Sequence, residues 1–234
     1  ARAIGVLTSP RATYAAVAAR PRILGALVLV LILTIVPTVV FLSTEVGQEA
    51  LFDVQIRQME SFGMQISDEM YAGMERQLRY APYITAGGQL VIVPVFTAII
   101  SGLVIVIFTA IMGGTATFTQ VYAIVVHAGF IPALRTLFSM PLNYVRASMS
   151  SPASLGVFLP FLDESSFLAR FLGALDLFFI WYAISLAIGV GVLYGKRTAP
   201  IAWGFLALYA VIAFVIAAVG AAFQPAVAKP CVSG

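Results

Sequence analysis

Apolar residues run almost unbroken through five stretches of this chain, at 23–42, 90–112, 118–138, 171–194 and 201–223, separated by polar segments of very unequal length. Each stretch has about the twenty residues that a helix needs to cross a hydrocarbon core of roughly 30 Å at 1.5 Å per residue. No water reaches peptide groups there, so the runs predict helices. The expected fold class is all-α: a polytopic helical bundle with five transmembrane spans at 23–223, an N-terminal segment at 1–22 and a tail at 224–234. The first run is longer than the hydrophobic core of a signal peptide and lacks a small-residue cleavage pattern, so it reads as a retained span.

The segments between the runs carry patterns of their own. Ser9-Pro10 has the form of a helix N-cap with proline at the first helical position, and Tyr14 and Val17 share one face of the short helix that follows. With Arg11, Arg20 and Arg22 in reach of headgroups, this segment predicts an interfacial helix. In the segment 43–89, Phe52, Ile56, Met59, Ile66, Met70 and Met74 recur at spacings of three, four or seven. That is the apolar face of an amphipathic helix, with Gly63 and Gly73 as places where it can break in two. The face either packs on the spans, lies on the membrane, or offers a methionine-rich docking surface to another protein. Between the third and fourth runs, Ser151-Pro152 predicts another helix start. Asp163 predicts an N-cap for a helix passing through Ser165 and Ser166 into the fourth span.

Composition agrees with the pattern: 61% of the 234 residues are hydrophobic and 10% charged, far from a soluble domain. The distribution of charge adds an orientation. Residues 1–22 hold Arg2, Arg11, Arg20 and Arg22 without an acid, and the turn between the last two spans holds Lys196 and Arg197. The other side spreads Arg57, Arg76, Arg79, Arg146, Arg170 and Lys229 over far longer segments, so the amino terminus is expected in the cytoplasm and the carboxyl terminus outside. The net charge of +3 follows from this asymmetry and points to anionic lipid, not to nucleic acid.

Ionisable groups at membrane depth are costly and therefore candidates for function. His127 lies near the middle of the third run, Arg135 two turns further out, and Asp176 near the outer end of the fourth. Arg135 and Asp176 can pair at similar depth, either pinning two spans together or serving a charge path. His127 has Tyr182 and Ser185 as potential partners at its own level, Pro132 can bend its helix, and His127 with Asp176 could pass protons. Small residues at four-residue intervals, Ala187, Gly191 and Gly195 on the fourth span and Ala213, Ala217 and Ala221 on the fifth, predict close packing of these two helices.

Other chemistry finds little support. Gly189, Gly191, Gly195 and Lys196 have the wrong spacing for a phosphate loop, with Val190 and Arg197 at required positions. One histidine and one cysteine, Cys231, exclude an intrachain disulfide and the usual zinc sets, and no nucleophile elbow is present. No cofactor is expected, and no enzyme.

The segments Ile4-Gly5-Val6-Leu7-Thr8-Ser9-Pro10, Gln120-Val121-Tyr122 through Arg135, Pro141-Leu142-Asn143 and Phe171 through Phe178 resemble prokaryotic members of the YIP (Ypt/Rab-interacting protein) family. The resemblance covers most of the chain and implies five spans with a cytosolic amino terminus. For a prokaryotic member it implies the bacterial inner membrane. Eukaryotic relatives bind small GTPases, but their Asp-Leu-Tyr-Gly-Pro motif is missing here and the N-terminal segment is short. Some prokaryotic relatives are thought to accompany ABC-type export machinery. The reading is a non-enzymatic scaffold or adaptor that organises membrane lipids and a membrane protein partner, ABC-type components among the candidates. The alternative is a small transporter or channel, as a monomer or homo-oligomer, using the His127, Arg135 and Asp176 cluster.

Overall fold

A computed structural model describes residues 2–61, 64–163 and 166–222. Gly63, Ser165, Phe223, Lys229 and Cys231, with the rest of the tail 224–234, lie outside the described residues. Among those described, regular structure is helical apart from one isolated antiparallel bridge between Ser154 and Asp176. Five helical stretches are long and apolar enough to cross a membrane.

The chain opens with a hairpin of short helices, α1 (Arg2–Thr8) and α2 (Pro10–Ala19). Pro10 starts α2 as the sequence suggests, but the Ser9 hydroxyl makes no capping bond. Tyr14 and Val17 are fully buried by α7 and α10, described below, so the apolar face of α2 meets protein instead of lipid. The first span, α3 (Leu24–Leu42), follows. The long polar segment forms two helices, α4 (Glu45–Ser61) and α5 (Asp68–Leu78). Ser67 caps α5 by accepting from the Met70 N–H at 3.3 Å, whereas Gly73 sits inside α5 and breaks nothing.

The second span begins earlier than its apolar run. Helix α6 covers Ala81–Ile105 and continues as a π-helical turn, Val106–Ile111. The peptide hydrogen-bond ladder does not stop where hydrocarbon stops, so residues 81–89 belong to this helix and not to the loop. The third span starts at a capping box, Thr117 with Gln120, and is bent in two: α7 (Phe118–Ala128) and α8 (Phe130–Arg146). Pro132 has no N–H for the Ala128 carbonyl, which fits a break at Gly129. Helix α8 then runs through Pro141 to Arg146 and ends on Ala147 in the left-handed region, φ 45°.

The expected fourth span at 171–194 is two helices. Ser166, not Asp163, caps α9 (Phe167–Ala174), accepting from the Ala169 N–H at 3.2 Å. Leu175 and Asp176 are extended, and α10 (Leu177–Tyr194) starts afresh with Asp176 as its N-cap. Pro152 starts no helix; the chain there forms a turn leading to a short 3-10 segment, Leu155–Phe158. The last span is α11 (Thr198–Ala222).

The bent α7–α8 pair forms the centre, packed by α3, α6 and α10. Leu24, Val28, Ile32, Val36 and Val40 step along the outer face of α3 at four-residue intervals, exposed as a lipid-facing stripe must be. The α1–α2 hairpin closes one end: the Gln120 side chain donates to the Ala18 carbonyl at 3.2 Å and Arg11 to Thr198 at 3.3 Å. At the other end Ala50 of α4 packs with Phe41 and Leu42 against Met140 and Met149.

Helices α10 and α11 are close neighbours, but the two small-residue stripes do not face each other. The pair is antiparallel, and Tyr209 is already level with Asp176, the start of α10. Ala213 and Ala217 therefore lie beyond α10 and are buried beside α9, where Phe214 meets Phe167 and Phe171. A methyl group on Gly191 would instead meet the turn at Lys196 and Thr198. Gly195 and Ala221 are exposed. The two spans pack on each other as expected, but the apolar run through 171–176 conceals the start of a new helix and with it the register of the pair.

Candidate functional site

Asp176 is built into its place by backbone before any charge is considered. The Leu155 N–H donates to the Leu175 carbonyl at 2.7 Å, and the Leu177 N–H donates to the Ala153 carbonyl at 3.0 Å. This bridge ties the loop after α8 to the break between α9 and α10. Asp176 caps α10 through Oδ1, which accepts from the Phe178 N–H at 2.8 Å. A carboxylate at a helix N-terminus also meets the positive end of the helix dipole.

The other carboxylate oxygen gathers the side chains. Arg135 Nε donates to Asp176 Oδ2 at 2.6 Å, and the Ser151 hydroxyl donates to the same oxygen. The Arg135 guanidinium also lies over the Phe179 ring, 5.4 Å from its centre. Tyr209 of α11 accepts from the Asp176 N–H and donates to the Ala174 carbonyl, both at 2.9 Å. One residue thus joins α8, the following loop, the α9–α10 break and α11. Asp176 is almost closed off, its side chain 5% exposed, whereas Arg135 is 27% exposed.

His127 is separate from this clamp. It is buried, and its Nδ1 is 2.7 Å from the carbonyl of Ala123 on its own helix. Ser185 pairs with Tyr14, hydroxyl to hydroxyl at 2.7 Å, rather than with His127. Burial pushes the Tyr14 hydroxyl above its ordinary range, against the opposing effect of the Ser185 bond, so it stays neutral. Tyr182 lines a cavity. The sequence-derived cluster therefore resolves into Arg135 with Asp176, Ser185 with Tyr14, and His127 on its own backbone. Ser151 and Tyr209 were missed as members; a serine before proline and a tyrosine in an apolar span carry no pattern that would have marked them.

The cavity, about 300 Å³, lies between α3, α6, α7–α8 and α10. Its walls are mostly aliphatic, from Leu27 and Val30 to Ile92 and Ile100, with Arg135 and Phe179 in the lining too.

Among the candidate docking residues, Phe52 is buried with the Tyr71 ring edge-on at 4.8 Å, and Ile56, Met59, Ile66 and Met74 are half-buried. Met70 is exposed, as are Met64 and Tyr71, and no residue of α5 is buried. No group of three or more potential metal ligands occurs among the described residues.

No curated protein and no solved structure matches the chain. The Yip1 domain matches residues 4–220, from α1 into α11, and the chain is a multi-pass membrane protein of the Yip1 family.

Proposed function

We propose that this protein is a non-enzymatic scaffold or adaptor that holds a membrane protein partner through its α4–α5 hairpin. One observation carries the reading: α5 is amphipathic yet none of its residues is buried, and Met70 and the preceding Met64 are exposed. Methionine-rich faces accommodate partners of irregular shape. The hairpin segment holds seven acids against three arginines, so a partner with a basic surface fits it. Helix α4 is anchored on the bundle by Ala50 and Leu51, and Phe52 joins it to α5 through Tyr71. The amino terminus is assigned to the cytoplasm of a bacterial cell, with the hairpin outside and an ABC-type export component as a candidate partner.

The variant Met64→Glu with Met70→Glu tests the face. Both side chains are exposed, so abundance and melting temperature are expected to stay unchanged. Recovery of the co-purified partner from mild detergent is expected to fall about tenfold or more, the scale of losing a central interface contact. Undiminished recovery would remove α5 from the interface. The rival reading, a small transporter, draws on the cavity beside Arg135. Against it, both Asp176 carboxylate oxygens are engaged in holding helices together, and His127 bonds its own backbone.

A further inference from the structure

The cavity in the bundle has a direction. Its lining runs from Leu27 to Thr34 on α3, from Ile92 to Ile100 on α6 and from Val125 to Thr136 across α7–α8. At 1.5 Å per residue these walls extend roughly 10–16 Å along the helices, and so across the bilayer. The hydroxyls in the wall are turned to their own backbones: Thr34 donates to the Val30 carbonyl and Thr97 to the Val93 carbonyl, both at 2.7 Å, and Thr136 to the Pro132 carbonyl at 3.2 Å. Apart from Arg135 and Tyr182, what remains facing the space is hydrocarbon. Ile92 and Phe96, which stand on the rim, are among the exposed residues of α6, so the space opens sideways to lipid.

Arg135 stands at one end of this space. Its Nε is taken by Asp176, but its two terminal nitrogens make no hydrogen bond among the described residues. A guanidinium has five N–H donors in a planar fork suited to phosphate. Four of them are left without a hydrogen bond among the described residues, on a side chain that lines the slot at the level where α10 begins.

We propose that the cavity is a phospholipid site, with one acyl chain between α3, α6 and α8 and the headgroup phosphate on the terminal nitrogens of Arg135. Bilayer phospholipid is the occupant because the opening faces the membrane, where phospholipid is the solvent. Asp176 already neutralises the guanidinium, so the phosphodiester is recognised by hydrogen bonding and the rest of the headgroup matters little. This site is independent of the α5 face.

Native mass spectrometry of the full chain in mild detergent, titrated with dioleoyl phosphatidylglycerol, dioleoyl phosphatidylcholine, dioleoylglycerol or oleate, tests the proposal. One phosphatidylglycerol or phosphatidylcholine per chain is expected to bind with similar affinity, and dioleoylglycerol, lacking the phosphate, about tenfold more weakly. Thr97→Phe, which fills the slot, is expected to abolish the bound lipid without lowering the melting temperature. Arg135→Gln is expected to erase the difference between phosphatidylglycerol and dioleoylglycerol. Dioleoylglycerol binding as well as the phospholipids, or retention undiminished in Thr97→Phe, would overturn the site. Displacement of phosphatidylglycerol by equimolar oleate would overturn the phospholipid assignment.

Discussion

Asp176→Ala is expected to be among the most destabilising single substitutions in the chain, at about 3–5 kcal/mol by comparison with broken buried ion pairs in soluble proteins. The loss has several parts. Ser151 and Arg135 lose their common acceptor, the first turn of α10 loses its cap, and the loop after α8 keeps its backbone bridge but loses the side-chain tie through Ser151. The Arg135 side chain keeps 27% exposure, so its uncompensated charge costs less than that of a fully buried one. Asp176→Asn retains an acceptor for the Phe178 N–H and is expected to lose less. Thermal unfolding in detergent, read beside cellular abundance, checks the order wild type, Asn, Ala. A transporter residue behaves differently: Asp176→Asn would keep its melting temperature and abundance while abolishing flux.

Tyr14→Ala is expected to cost about as much, roughly 3–5 kcal/mol, the range for removing a buried aromatic side chain. Tyr14 is completely buried, and its ring sits against Gly189, where an added methyl group would come within 3.2 Å of it. Its hydroxyl is the partner of Ser185, so Tyr14→Phe leaves one buried hydroxyl unpaired at about 1–3 kcal/mol. The difference lies in what moves. Losing the ring is expected to undock the α1–α2 hairpin, because Tyr14, Val17 and Val6 are its buried anchors. Limited trypsin digestion after Arg11 reads this directly: the wild type and Tyr14→Phe resist, and Tyr14→Ala is cut. Equal resistance in all three would show that the hairpin does not depend on Tyr14.

The five spans were legible because hydrocarbon thickness imposes a length and composition that few other structures need. Helix boundaries were not. Where a span continues beyond the apolar run, as at 81–89 and 139–146, hydropathy carries no signal. Where an apolar run contains a break, as at Leu175 and Asp176, hydropathy hides it. Asp176 stood out as a charge among apolar neighbours, and Arg135 as its counterpart on the preceding span. The role of Asp176 as a cap depended on the backbone turning extended just before it. Ser151 and Tyr209 join through tertiary contacts across 25 and 33 residues, which no local pattern records. The α1–α2 hairpin shows the same limit: a two-residue apolar face suits a membrane surface or a protein groove equally, and only the groove beside Gly189 decides.

The scaffold reading is tested most directly by purifying the tagged native protein in mild detergent and quantifying what accompanies it by mass spectrometry. A membrane protein partner at fixed stoichiometry with this chain is expected. A partner-free homo-oligomer that conducts ions or protons in proteoliposomes, with flux lost in Asp176→Asn at unchanged stability, would contradict it.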